Sequence, residues 1–143
     1  QHYRAQHAGV ELSADVPRDL KVDADEVGVR TVLRNLLDNA LKATGEGGRV
    51  TLYGSATADG IHLDVRDDGA GFEPGEADRL FDKFYRVGDE MRRTQTGSGL
   101  GLHLTRRFVE LEGGTVRASS DGPGEGATFS VTWPRRRTAR GTA

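Results

Sequence analysis

Residues 29–43 read VRTVLRNLLDNALKA, and their apolar side chains recur with the spacing of an α-helix. Asp23 and Asp25 precede this segment and favour a helix N-terminus, whereas glycines at positions 45, 47 and 48 favour its end. The apolar positions follow the i, i+3, i+4, i+7 pattern of an amphipathic helix, and they are Val29, Val32, Leu33, Leu36, Leu37, Ala40 and Leu41. The sequence therefore predicts one long helix whose apolar face needs a second layer to cover it.

Pairs of predicted strands supply that second layer. Alternating apolar and polar residues predict strands at 10–14 and 20–22, at 50–56 and 61–65, and at 115–119 and 127–133. Turn signals at Asp59-Gly60 and at 121–124 join the last two pairs into hairpins. A short aromatic helix is predicted at 77–85, and a longer one runs from Leu100 to a C-cap at Gly113-Gly114. This order predicts an α/β (α+β) two-layer sandwich, in which a mixed, mostly antiparallel sheet packs against helices.

Length, charge and cysteine content restrict the class of protein. The 143 residues suit one domain, and we assign residues 1–134 to it and residues 135–143 to a flexible, arginine-rich tail. The net charge of −2 provides no domain-wide positive field for nucleic acid or an anionic membrane. The absence of cysteine excludes disulfides and thiolate metal sites.

The remaining composition concerns location and completeness. No apolar run approaches the ~18 residues of a membrane span, so we expect a soluble domain without direct membrane contact. Because the chain begins with Gln1 and its only methionine is Met91, we expect it to be a module of a larger protein.

Asn35, Asn39 and Lys42 form a polar stripe on the first predicted helix, opposite the middle of its apolar face. Two amide oxygens and one ammonium group on a single ridge can hold a hydrated Mg²⁺ and contact a polyphosphate, because Mg²⁺ prefers oxygen ligands and keeps several waters. The stripe also fits the ordinary solvated side of an amphipathic helix. The spacing alone leaves both interpretations open.

The segment DDGAG at residues 67–71 comes just after a predicted strand. Asp67 would be held rigidly there and could accept a hydrogen bond from a base amine, while Gly69 and Gly71 would let the backbone approach a ligand closely. An ordinary Asp/Gly turn is the alternative.

A glycine-rich segment opens the second predicted helix. Its backbone N–H groups and the helix N-terminus would form a site for phosphate oxygens, made of Gly97, Ser98, Gly99, Leu100, Gly101 and Leu102. The pattern matches neither the P-loop nor the dinucleotide-binding motif. Residues 87–98 contain only Val87 and Met91 as sizeable apolar side chains, so we expect this segment to be mobile without a ligand.

An aromatic segment, LFDKFYR at residues 80–86, lies before that mobile stretch. It fits a small satellite core. Arg86 could instead supply positive charge to a phosphoryl group during transfer. We take Arg86 and Lys42 as the candidate catalytic residues.

These four segments in this order resemble a known family. They are NLLDNALK at 35–42, DDGAG at 67–71, LFDKFYR at 80–86 and GSGLGL at 97–102. They are similar to the N, G1, F and G2 boxes of the catalytic, ATP-binding domain of bacterial sensor histidine kinases, in a superfamily with DNA gyrase, chaperone and mismatch-repair ATPases. The resemblance covers roughly residues 10–134 and implies the Bergerat fold, with ATP and Mg²⁺ bound between the helices under a mobile lid.

The resemblance also implies a role for each matching residue. Asn39 would be the Mg²⁺ ligand, Asn35 a neighbour near the phosphates, and Lys42 a phosphate contact. Asp67 would accept the adenine amine, and the two glycines after it would shape the adenine end. Residues 97–102 would wrap the phosphates.

Phosphoryl transfer is favoured over hydrolysis. Asn35 stands where the hydrolysing relatives carry a glutamate that activates water, and an amide cannot act as a general base. We therefore expect transfer of the phosphoryl group to a histidine on a separate dimerisation domain. From there the group would pass to a response-regulator receiver domain. The family's His-Glu-x-x-x-Pro acceptor context surrounds none of the chain's histidines, which are His2, His7, His62 and His103.

Two other functions stay open. Ala43 stands where the family commonly has an aromatic residue, which leaves a kinase-inactive, nucleotide-binding regulatory module as one alternative. The other is an anti-sigma-type serine kinase of the same superfamily, which would bind a sigma factor. The aromatic segment with Phe81 and Phe84 favours the histidine kinase, because such a block is usually absent from the anti-sigma branch.

Overall fold

The computed structural model describes residues 2–7, 9–17, 20, 26–83 and 101–134. In this part of the chain the strands are β1 (His2–His7), β2 (Val10–Asp15), β3 (Arg49–Thr57), β4 (Gly60–Asp67), β5 (Thr115–Ser119) and β6 (Ala127–Pro134). The helices are α1 (Glu26–Ala43), a 3₁₀ helix (Pro74–Phe81) and α2 (Gly101–Leu111).

These strands form one sheet in the order β1-β2-β3-β4-β6-β5. Neighbouring strands are antiparallel except β2 and β3, which run parallel with Leu12 opposite Val50. Parallel neighbours need a crossover connection, and α1 lies in the connection from β2 to β3. The predicted two-layer sandwich with a mixed, mostly antiparallel sheet is confirmed.

The core lies between the sheet and the helices. Val32, Leu36 and Ala40 are buried on successive turns of α1, as the apolar periodicity predicts. In β6, buried residues alternate with half-buried ones, and Trp133 is fully buried in the same cluster. Strand alternation therefore directs one face of the sheet towards the helices and leaves the other polar.

The start of the chain differs from the predicted strand pair at 10–14 and 20–22. The strand β2 is present, but its antiparallel neighbour is β1, which the sequence did not predict. Leu20 lies outside the strands, and residues 21 and 22 fall outside the described part. The sequence of β1, HYRAQH, contains only one aromatic and one small apolar residue, too few to give a strand signal.

The aromatic helix predicted at 77–85 is a 3₁₀ helix that begins at Pro74 and ends at Phe81. Proline suits the first position of a helix, and the Glu76 carboxylate accepts a hydrogen bond from the Glu73 N–H at 3.1 Å. Together these residues start the helix earlier than its aromatic content indicates. Residues 84–100 lie outside the described part, and so do the predicted mobile segment 87–98 and the predicted tail 135–143.

Among the described residues, no helix combines the length and apolar character needed to cross a membrane.

Candidate functional site

Asp67 ends β4 in the middle of the sheet, where its neighbours across the strands are Val50 and Ala127. The residue is only 4 % exposed. Its Oδ1 accepts a hydrogen bond from the Gly69 N–H at 2.8 Å. Burial raises the pKa of Asp67, and the Asp68 charge adds to the rise, whereas the backbone N–H groups of Gly69 and Ala127 oppose it.

A buried carboxylate of this kind is a strong acceptor with capacity to spare. Two carboxylate oxygens offer about four lone-pair directions, and the Gly69 N–H takes one of them on Oδ1. A ligand N–H donor that reached Asp67 would therefore form a charge-assisted hydrogen bond. The bond from the Gly69 N–H to Oδ1 is also the hydrogen bond of an ordinary Asp/Gly turn, so both interpretations stay open, and the burial of Asp67 is the feature that favours a ligand site.

The loop after Asp67 is seated on the C-terminal end of α1. The Ala70 N–H donates to the Ala43 carbonyl oxygen at 3.0 Å. A Cβ atom at Gly69 would overlap that same Ala43 oxygen. Gly69 therefore lets the loop and the helix end approach more closely than any side chain would permit.

The other side of this loop is joined to the turn between β5 and β6. The Gly126 N–H donates to the Gly69 carbonyl oxygen at 3.1 Å, and the Gly124 N–H donates to the Ala70 oxygen at 2.6 Å. Gly71 has φ +63°, in the left-handed region that favours glycine. The sequence of residues 121–124 predicts only a hairpin turn and does not indicate this contact. The three glycines at 122, 124 and 126 were the available signal.

The polar stripe of α1 lies beside α2. Asn35 and Asn39 are half-buried, while Lys42 is exposed. The Asn35 Nδ2 donates to the Thr105 Oγ1 of α2 at 3.2 Å, and Thr105 is 1 % exposed. The two asparagines therefore do not belong to a purely solvated helix face. The Asn35 side chain joins α1 to α2 by a hydrogen bond.

The first turn of α2 contains two of the predicted phosphate-site residues. Gly101 is exposed, and a Cβ there would meet open space, whereas Leu102 is half-buried against the core. The other predicted residues of this segment lie outside the described part, as does Arg86, and they are Gly97, Ser98, Gly99 and Leu100. Their roles stay predictions.

The aromatic segment contributes to the main core, which corrects its interpretation as a small satellite core. Leu80 and Phe81 are buried in the same cluster as β6. The Phe81 ring packs edge-on against Phe129, with 6.2 Å between ring centroids. The Arg106 guanidinium lies 5.3 Å from the Phe81 ring centroid, an arrangement that stabilises through the charge of the ring face.

The described parts of the predicted site thus converge on the helix side of the sheet. Ala43, which carries the Asp67 loop, lies one helical turn after Asn39, on the same flank of α1. The neighbouring helix, α2, contacts Asn35 on that side. The described part of the chain contains no group of three His, Asp or Glu side chains that could hold a metal ion. A single half-buried amide at Asn39 suits a Mg²⁺ ion that takes its other ligands from phosphates and water.

Comparison with known families agrees with this geometry. Residues 24–137 match the family described as histidine kinase-, DNA gyrase B-, and HSP90-like ATPases. The chain belongs to this family.

Individual relatives point to one branch of it. The adaptive-response sensory kinase SasA of Parasynechococcus marenigrum (strain WH8102) is 45% identical over 127 residues, which are 87% of this chain and 33% of the relative. The mycobacterial sensor histidine kinase MprB superposes with a TM-score of 0.77 at 29% identity, over 90% of this chain and 84% of the other. Full-length ShkA in complex with AMPPNP superposes with a TM-score of 0.74 at 31% identity, over 90% of this chain and 27% of the other. The chain therefore resembles the ATP-binding catalytic domain of sensor histidine kinases, and it spans about a third of the length of the SasA relative.

Proposed function

We propose that this chain binds Mg-ATP and catalyses transfer of its γ-phosphoryl group to a histidine on a separate dimerisation domain of its parent kinase. The phosphoryl group would then pass to a response-regulator receiver domain. The observation that carries the proposal is the buried carboxylate of Asp67, in a loop held against the end of the helix that carries Asn39. Because both ATP and a receiver domain are found in the cytoplasm, we propose that this activity takes place there.

The candidate site residues that lie in the described part of the chain would bind or orient the nucleotide. Asp67 accepts the adenine amine, and Gly69 and Gly71 keep the loop backbone close enough to shape the adenine end. Asn39 would hold Mg²⁺, which neutralises phosphate charge when bound. Lys42, exposed on the same flank of α1, contacts the phosphates.

The described residues supply no nucleophile for this reaction. Catalysis by this chain consists of positioning and charge neutralisation, as is general for phosphoryl transfer. Arg86 and residues 97–102 would complete the phosphate end, and Arg86 would act where negative charge shifts during transfer. The neutral amide of Asn35, engaged with Thr105, provides no base to activate water.

A labelled-phosphate assay tests the proposal. The full chain is incubated with γ-labelled Mg-ATP and the histidine-containing segment of its parent kinase, and label is expected on that segment as an acid-labile, alkali-stable phosphohistidine. The Asn39→Ala variant serves as the control that should transfer no label.

Other outcomes of the assay would support the alternatives. Tight ATP binding without any labelled acceptor would indicate a kinase-inactive regulatory module, for which Ala43 is the specific observation. Acid-stable label on a serine of a partner protein would indicate an anti-sigma-type kinase. No binding of ATP would overturn the proposal as a whole.

A further inference from the structure

Ser120 follows β5 directly, at the start of the turn that leads to β6, and it belongs to none of the four sequence motifs. Its hydroxyl accepts hydrogen bonds from the Phe72 N–H and from the Gly122 N–H, each at 3.1 Å. It donates to the Gly126 carbonyl oxygen at 2.7 Å, and the Gly122 carbonyl oxygen lies within donating distance at 3.1 Å. A hydroxyl has one donor and two acceptor positions, so all three are in use.

The three partners of Ser120 connect two segments that are distant in sequence. Phe72 ends the loop that begins at Asp67, whereas Gly122 and Gly126 belong to the β5–β6 turn. A Cβ at Gly71 would lie 2.8 Å from the Ser120 oxygen, so the loop and this hydroxyl are in direct contact.

A second contact extends this connection to the carboxylate residue itself. A Cβ at Gly126 would overlap the Asp67 carbonyl oxygen and lie 3.0 Å from the Asp68 Cα. Gly126 also donates its N–H to Gly69. Gly126, whose carbonyl oxygen lies 2.7 Å from the Ser120 Oγ, is therefore also the residue that packs against the end of β4.

We propose that Ser120 is a positioning residue for base recognition, which holds the loop from Asp67 to Phe72 at the distance that adenine requires. The inference rests on the proposed ATP binding. Hydrogen bonds weaken steeply outside a narrow range of distance and angle, so a small displacement of this loop reduces discrimination between bases. The phosphate end of the proposed site is built on α1 and α2. The hydrogen bonds of the Ser120 hydroxyl reach neither helix, so phosphate binding is independent of that hydroxyl.

The test compares Ser120→Ala with Ser119→Ala in the full chain. Ser119 is the neighbouring exposed residue of β5, and its substitution removes the same hydroxyl group outside the loop contact. Affinities for Mg-ATP and Mg-GTP are measured by calorimetry. Ser120→Ala is expected to weaken ATP binding about tenfold and to change GTP binding less than about twofold. Ser119→Ala should bind both nucleotides as the wild-type chain does.

The ratio of the two affinities separates positioning from general stability. If Ser120→Ala leaves the ratio of ATP to GTP affinity unchanged, Ser120 has a merely structural role and the inference is overturned. This holds whether both affinities fall equally or neither falls. If Ser120→Ala is unfolded at the assay temperature, Ser120→Cys replaces it, because a thiol is close in size but a weak hydrogen-bonding group. This variant should shift the ratio in the same direction. A wild-type chain that does not bind ATP would instead refute the proposed function, which is a distinct result.

Discussion

Replacing Asp67 with asparagine tests the adenine assignment, because it removes a charge and keeps the shape of the side chain. A hydrogen bond to a charged group contributes about 1.5–3 kcal/mol and a neutral one about 0.5–1.5 kcal/mol. The difference is close to the ~1.4 kcal/mol that corresponds to a tenfold change in affinity. We therefore expect Asp67→Asn to bind ATP about tenfold more weakly. Its amide N–H can donate to the guanine carbonyl oxygen, so the preference for ATP over GTP should disappear.

The same substitution should stabilise the nucleotide-free protein at neutral pH. Burial raises the pKa of Asp67 above the ordinary 3.8, so the folded chain binds this proton more tightly than the unfolded chain. Stability from this group is greatest below pH 3.8 and is lost as the pH rises through the raised pKa of Asp67. At neutral pH the folded state holds an unfavourable buried charge, which asparagine avoids. We expect ATP binding to have the opposite pH dependence, because the proposed hydrogen bond needs ionised Asp67 and should weaken as the pH falls through the raised pKa of Asp67.

Calorimetry with both nucleotides and thermal melting without nucleotide provide the measurements. Asp64→Asn is the matched control. Asp64 lies three residues earlier in β4, so its side chain is on the opposite face of the sheet from Asp67, where it is half-buried. It should leave ATP affinity unchanged. Unaltered ATP affinity in Asp67→Asn would refute the adenine assignment. A large fall in its melting temperature would show that the backbone N–H groups stabilise the carboxylate more than burial penalises it.

Three further substitutions test the neighbouring contacts. Gly69→Ala should displace the loop from α1 and abolish ATP binding at the concentrations used for the wild type. A Cβ at Gly75 would meet open space, so the control variant Gly75→Ala should bind ATP normally, and calorimetry distinguishes the two. Asn39→Ala should lose Mg²⁺-dependent nucleotide binding with unchanged circular dichroism, and normal binding would remove Asn39 from the metal site. Asn35→Ala should keep more of that binding but lower the free energy of unfolding by about 1 kcal/mol in urea titrations, because Thr105 loses its partner.

The helices and the hairpins were predictable because their signals are local. The apolar periodicity of residues 29–43 reports directly on the buried turns of α1, and the Asp59-Gly60 turn determines the pairing of β3 with β4. The parallel contact between β2 and β3 is not a local property, since it depends on where α1 packs. The contacts of Ser120 depend in the same way on the long-range pairing of β4 with β6. The candidate site was therefore predictable as a set of motifs, while the residues that hold those motifs together were not.

The position of β6 between β4 and β5 has a consequence for the order of events during synthesis. Asp67 pairs with Ala127, about sixty residues later in the chain. A ribosome-bound chain that has released β4 but still holds β6 in the exit tunnel lacks one side of the loop that begins at Asp67. The proposed nucleotide recognition would therefore appear only after β6 has emerged, and we expect a product truncated before β6 to bind no ATP. ATP binding would then report that synthesis has proceeded through β6.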